Sequence, residues 1–449
     1  MLEKIFKLRE HGTTVRTEIM AGLTTFMTMA YIIIVNPQIL GDAGMPAGAV
    51  MVATCLAAAL GTFLMGFLAN YPFALAPGMG LNAFFTYTVV LTMGLSWQAA
   101  LAAVFISGII FLLLTLSKAR EAIVNSIPLS LKYAVSVGIG LFIALIGLKN
   151  AGIIVHNPGT GTIGLVTPEY FIDESLRALL PFGTTPTSIL LAVFGLIFTS
   201  ALVVKNVKGS LLWGILVTTI VGIPLGVVNL GENFTLVSMP PSLSETFMAM
   251  NFAEVLSFGL IPIIFSFTFV DLFDTVGTLV GVSSKAGMLD EKGNLPKANK
   301  ALLADSLATI AGAALGTSTT TTYVESASGV AQGGRTGLTA VTTAVLFLLA
   351  LFFSPLVGII PSAATAPILI IVGIFMMEPV TKIDFSDYLE GIPAFFAIVM
   401  MPFAYSIAEG IVFGVIAYTV LRLLTGRAKD VSVVMWILTL LFVIRFFVI

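Results

Sequence analysis

The amino-acid sequence predicts an all-α membrane protein of about 14 transmembrane helices, paired as a 7+7 inverted repeat. Short extended strands are expected in the broken third and tenth spans. Three observations carry this reading: the composition, the spacing of the apolar runs, and two runs that break in the middle. The chain has 449 residues, 58% hydrophobic and 10% charged, with a mean hydropathy of +1.07. Soluble domains carry roughly 25% charged residues. A net charge of -2 without a basic patch gives no reason to expect a nucleic-acid partner. The single cysteine, Cys55, lies in an apolar run and excludes an intrachain disulfide. The amino terminus, MLEKIFKLREHGTTVRTE, is of mixed charge with no apolar core, so it does not read as a secretory signal.

A helix needs about 20 apolar residues to cross a bilayer. Candidate spans lie near 19–38, 48–69, 79–93, 98–117, 132–148, 186–204, 210–229, 257–281, 301–315, 323–333, 338–356, 361–378, 391–405 and 407–425. Those near 79–93 and 323–333 are too short to cross alone. The last apolar stretch, 431–449, reads as a further span or as a helix lying in the interface. Orientation follows from the basic residues, which favour the cytoplasmic side. With the amino terminus inside, only Lys149 and Arg177 of the 21 Lys+Arg fall in outside loops, and Arg445 lies in the undecided tail. The reversed orientation inverts that distribution. Outside loops are expected near 149–185, where His156 sits exposed, and near 230–255.

The third and tenth spans share an organisation. YPFALAPGMGLNAFF starts as an apolar extended piece, breaks at Pro77, Gly78 and Gly80, and begins a helix near Leu81. In the tenth, the β-branched run Thr319 to Thr322 favours a strand, and a helix is expected from near Tyr323. The two lie seven spans apart, and an odd offset means opposite orientation in the membrane. That is the pattern of an inverted repeat with discontinuous helices at the midplane. Irregular backbone at that depth must be buried in protein or face a cavity.

The stretch Phe265 to Gly281 holds two aspartates in a membrane-length apolar run. Asp271 and Asp274, three residues apart, share one helix face with Thr275 and Thr278. Intramembrane carboxylates are costly and usually face a cavity or a partner. They read as a substrate and proton site, or else as a structural ladder to a neighbouring helix. Glu325 follows Thr322 at capping-box spacing, with Thr322 as N-cap. In that role it bonds only backbone; in a mid-membrane break it can face a ligand. Asn82, after the third-span break, is either a ligand-facing amide or a plain N-cap. Phe26, Tyr31, Phe84 and Phe85 could stack on a planar ring. Thr24, Thr25 and Thr28 make one side of the first span polar. Asp305 is expected to cap the ninth span, Glu378 and Glu409 to lie near the surfaces, and Arg335 to anchor a turn at headgroup level.

Nothing in the chain resembles a phosphate-binding loop, a His/Cys metal cluster or a catalytic triad. With only His11 and His156, histidine chemistry within the membrane is excluded. No enzyme activity and no cofactor are expected. Three carboxylates repel a small anion such as sulfate. A neutral heterocycle with several N–H donors and ring-nitrogen or carbonyl acceptors matches carboxylates and an amide, which narrows the class without naming a purine.

AGLTTFMTMAYIIIVNP at 21–37, ALAPGMGLNAFFTYTVV at 74–90, FVDLFDTVGTLVGV at 269–282 and GTSTTTTYVESASGVAQGGRTGLTAV at 316–341 resemble the AzgA-like branch of the nucleobase:cation symporter-2 family. The likeness runs from about residue 15 to 425. It implies a purine nucleobase permease, a proton symporter for adenine, guanine or hypoxanthine, with fourteen spans in two inverted repeats. It also implies a core domain, 15–120 with 255–356, moving against a gate domain, 121–254 with 357–425, and leaves 426–449 as an interfacial or additional helix. By motif position Asp271 and Asp274 match the eighth-span acids, Glu325 the tenth-span glutamate and Asn82 the asparagine after the third-span break. Substrate-binding residues are thus expected to be Glu325, Asp271, Asp274, Asn82, Thr275 and Ser326, and proton-coupling residues Asp271, Asp274 and Glu325. The wider family often has asparagine after the tenth-span glutamate; here it is Ser326. The expected ligands are a purine and a proton in a lipid bilayer, with the amino terminus cytoplasmic, and the architecture is compatible with a homodimer. Rival readings are an anion transporter of similar architecture and a purine sensor without net flux.

Overall fold

The computed structural model describes residues 2–117, 126–157, 159, 161–181, 184–231, 234–257 and 295–448, together with 263–264, 267–268, 270–272, 275, 278–279, 282–283 and 286–288. Among these residues eight helices are long and apolar enough to cross a membrane: Val15–Asp42, Ala47–Ala69, Trp97–Leu116, Leu129–Asn150, Pro186–Val204, Gly337–Ile359, Ser362–Lys382 and Ile407–Leu424. Shorter apolar helices cover Met79–Thr92, Ser210–Gly222, Tyr388–Phe403 and Val433–Ile444. A chain this apolar can satisfy its backbone in lipid only within helices or closed barrels. The result is a mostly helical, multi-pass membrane protein. Helix starts follow local side-chain chemistry. Ser96 Oγ accepts from Ala99 N at 3.2 Å, Asp387 from Leu389 N at 2.9 Å, and Thr185 and Ser188 form a reciprocal capping box.

The helices pack in two groups. One gathers Val15–Met29, Ile32–Asp42, Ala47–Leu64, Trp97–Leu116, Ala298–Leu315 and Gly337–Ala350. The other gathers Leu129–Asn150, Pro186–Val204, Ser210–Gly222, Ser362–Met376, Tyr388–Phe403 and Ile407–Leu424. Polar ties between the groups include Gln38 Nε2 donating to Ile360 O at 3.0 Å, Thr365 donating to Gln38, and Lys208 donating to Gln332. The helix Val433–Val448 lies along Ile407–Leu424, with Thr439 Oγ1 donating to Thr419 Oγ1 at 2.8 Å.

Among the described residues two short sheets interrupt the helices. Strand Leu75–Pro77 pairs antiparallel with Thr320–Thr322, in the register Leu75 to Thr322, Ala76 to Thr321 and Pro77 to Thr320. Gly78 N donating to Thr319 O and Tyr323 N donating to Ala74 O, each at 2.9 Å, extend the ladder at both ends. The pairing is wholly buried, so each strand satisfies the backbone that the other's break leaves open. The second sheet, Ile154–Asn157 with Thr162–Leu165, is a hairpin in a stretch expected to be irregular loop. His156 sits in that hairpin and is exposed, as expected.

Several expected boundaries need correction. The first span is two helices, Val15–Met29 and Ile32–Asp42, joined at Ala30 and Tyr31. The third-span helix begins at Met79, so Asn82 lies inside it, with its N–H donating to Gly78 O at 2.8 Å, and is not an N-cap. The tenth-span helix begins at Ser326. Glu325 takes the capping position itself, with helical dihedrals and no capping bond from its side chain, so the expected box with Thr322 does not form. Asp305 does not cap its helix. That helix runs Ala298–Leu315, and Asp305 lies two turns in, fully buried. The Arg335 guanidinium donates to Val330 O and Gly334 O at 2.7 and 2.8 Å.

Candidate functional site

The buried ladder organises the site because each strand leads into a helix start, across one intervening residue in the third span and three in the tenth. Tyr323 OH reaches along the ladder to donate to Pro77 O at 2.6 Å, and at the Leu75–Thr322 end Ser326 Oγ accepts from Ala74 N at 3.0 Å. These bonds lock the third span to the tenth around Glu325, and they commit the Ser326 oxygen to backbone. Glu325 is partly exposed, beside the exposed Val324 and after the buried run 317–323. One oxygen of its carboxylate, Oε1, accepts from Tyr31 OH at 2.6 Å. The helix Val15–Met29, which leads to Tyr31, comes this close because Gly329 has no side chain: a Cβ there would meet Thr25 Oγ1 at 2.0 Å and Ala21 O at 2.8 Å.

At the ladder's other end stands Asn82, fully buried. Ser318 Oγ donates to its Oδ1, while Nδ2 has no partner among the described residues. Either assignment of the amide leaves one of its two polar atoms unpaired. A buried polar atom left so costs about 1–3 kcal/mol.

A third group lies on the segment after Ile263. Asp271 and Asp305 are both fully buried, and both meet one hydroxyl. Thr275 Oγ1 lies 3.0 Å from Asp271 Oδ1 and 3.3 Å from each Asp305 oxygen. Asp274 lies outside the described residues. The structure therefore joins Asp271 to Thr275 as the shared-face reading expects, and adds Asp305, which sequence reasoning had set aside as a cap. Asp305 lies seven residues inside a helix whose first residue is Ala298. Of the aromatic candidates, Phe84 and Phe85 are buried against Phe267, at ring distances of 4.9 and 6.5 Å, and Phe26 meets Phe347 edge-on at 5.2 Å. Tyr31 contributes its hydroxyl to Glu325.

Sequence reasoning missed one further carboxylate. Glu18, fully buried, accepts from Arg335 N, Thr336 N, Thr339 N and Thr339 Oγ1 at 2.6–3.2 Å. It caps the helix Gly337–Ala350 from a distant part of the chain. Asn70 Oδ1 adds a bond from Gly337 N at 2.8 Å.

Two broken spans paired strand to strand, with polar groups at both helix starts, are the architecture of a membrane permease. The chain belongs to the permease family that takes in the xanthine/uracil permeases, the nucleobase:cation symporter-2 family, whose profile matches residues 16–413. It is 52% identical to a putative permease of Methanocaldococcus jannaschii, over 99% of this chain and 98% of that one. It is 47% identical to the adenine permease AdeP of Escherichia coli, over 99% and 96% of the two chains. It is 45% identical to the guanine/hypoxanthine permease PbuG of Bacillus subtilis, over 99% of each. Among solved structures, the transmembrane domain of the cyanobacterial bicarbonate transporter BicA superposes with a TM-score of 0.62, covering 88% of this chain and 97% of that one. At 17% identity that likeness concerns the fold alone.

Proposed function

We propose that this permease imports purine nucleobases of the adenine, guanine and hypoxanthine class by proton symport with alternating access. One observation carries the reading: the buried ladder ends in a carboxylate acceptor, Glu325, on one side and an amide with an unpaired buried atom, Asn82, on the other. From Tyr323 to Thr319 is four residue rises, about 14 Å of extended chain. A fused bicyclic ring with a hydrogen bond at each edge suits that length. Ring N–H groups donate to Glu325, and a ring nitrogen or carbonyl accepts from Asn82. The names of the relatives, an adenine permease and a guanine/hypoxanthine permease, agree with that chemistry.

Asp271 and Asp305, sharing the Thr275 hydroxyl, are the proposed proton station, with Asp274 as the third acid of that region and Glu325 as the carboxylate that links it to substrate. A single proton between two buried carboxylates removes their repulsion. The two packing groups support a core of 15–120 and 255–356 shifting against a gate of 121–254 and 357–425. In this reading fourteen spans form two inverted sevens, the two strand-then-helix segments are their mates, and the amino terminus faces the cytoplasm.

Uptake of labelled hypoxanthine into proteoliposomes, with an inward proton gradient and then with an uncoupler, tests the proposal. Accumulation that collapses with the uncoupler and is competed by adenine and guanine is the expected result. Competition by sulfate and not by purines would assign an anion transporter. Purine binding without uptake would assign a sensor.

A further inference from the structure

The first span carries no proline or glycine at its junction, yet it divides into two helices at Ala30 and Tyr31. The Tyr31 ring is fully buried within the apolar core, and its hydroxyl is spent on Glu325 Oε1 at 2.6 Å. Glu325 is partly exposed and begins a helix of only six residues. Tyr31 approaches from the protein side and takes one carboxylate oxygen. We infer that Tyr31 is the positioning residue of this site: its hydroxyl turns the Glu325 carboxylate so that the second oxygen meets an N–H of the ligand. The inference rests on the reading of Glu325 as a ligand-contacting group.

Two physical consequences follow. A rigid ring already fixed by packing orients a flexible carboxylate at little further entropy cost, which is the usual route by which preorganisation raises affinity. A hydroxyl that donates to the carboxylate also keeps that group an acceptor, so the site selects ligands presenting an N–H at this edge. The same bond ties the junction of the first span to whatever occupies the tenth.

Binding of adenine, guanine and hypoxanthine to the purified full-length protein by calorimetry, for wild type, Tyr31→Phe, Glu325→Gln and the double variant, tests this. A charge-assisted bond predicts about tenfold weaker binding in Tyr31→Phe, with KM for uptake rising by the same factor and kcat nearly unchanged. In the Glu325→Gln background the Tyr31→Phe change should add almost nothing. An unchanged Kd in Tyr31→Phe, or the same penalty in both backgrounds, overturns the inference. Should Tyr31→Phe lose its fold, Tyr31→His retains a ring donor: binding close to wild type supports the inference, and binding as weak as that of Glu325→Gln overturns it. The infrared carboxylate band of Glu325, read as wild type minus Glu325→Gln, separates this inference from the purine reading. That band shifts in Tyr31→Phe if the bond orients the carboxylate, even if no purine binds; an unshifted band overturns the inference.

Discussion

In the third span the chain leaves its strand through Pro77 and Gly78 and enters a helix at Met79, whereas in the tenth it passes Tyr323, Val324 and Glu325 before a helix at Ser326. The backbone result is alike, and the strands pair with each other. The means differ. Proline fixes φ and removes a donor, while a β-branched run favours the extended state through its side chains. The groups left at the helix starts differ too. The third span offers a neutral amide held by Ser318 of the tenth, and the tenth offers a carboxylate held by Tyr31 of the first. One backbone device can thus be built twice while the chemistry at its two ends stays independent.

Removing the charge at the tenth-span end should have the largest effect. Glu325→Gln is expected to lower kcat/KM for purine uptake about 100-fold or more, because a site built around a hydrogen bond discriminates strongly when that bond fails. Size-exclusion behaviour should stay that of wild type; uptake at the wild-type rate would remove Glu325 from the site. Asp305→Asn comes next and divides the carboxylates by task. It should abolish proton-driven accumulation in proteoliposomes while exchange of labelled for unlabelled purine persists. Loss of both would merge Asp305 with the binding site. At the third-span end, Asn82→Ala should raise KM about tenfold and no more, the worth of one neutral hydrogen bond with a stranded Ser318 partner. An effect as large as that of Glu325→Gln would erase the contrast between the ends.

Two packing changes should be smaller still. Gly329→Ala forces a methyl against Thr25 Oγ1 and Ala21 O and should cost about 1–3 kcal/mol of stability, read as a lower melting temperature. Thr322→Val removes a buried hydroxyl that has no partner among the described residues. It should change stability by less than about 1 kcal/mol, since replacing an unpaired polar group by an isostere can be neutral or favourable.

How much of this was legible beforehand depended on range along the chain. The strand pieces at Leu75–Pro77 and Thr320–Thr322 followed from Pro77, Gly78 and the threonine run, which act locally. Glu325 stood out because a carboxylate at membrane depth is costly wherever its partner lies. Its bond to Tyr31 was not legible, because those residues are 294 positions apart and nothing in either local pattern points to the other. Asp305 was misjudged for a related reason. Reading it as a cap required a helix start beside it, and the polar residues from Ala298 onward conceal that the helix has already begun. The split at Ala30 and Tyr31 was not legible: Pro37 frees only the Ile33 carbonyl, inside the second helix, and no proline or glycine marks the junction itself.

Glu18 ties the order of synthesis to the finished fold. Its four donors come from Arg335, Thr336 and Thr339, which the ribosome makes more than 300 residues later. Until then the carboxylate must stay hydrated at the membrane surface, because burying it without those donors is prohibitive. The first helix therefore reaches its final depth only when the start of Gly337–Ala350 arrives to receive it. A nascent chain that stops short of Arg335 carries an uncompensated charge where the finished protein has a sealed cap, which gives membrane quality control a feature by which to recognise an unfinished copy.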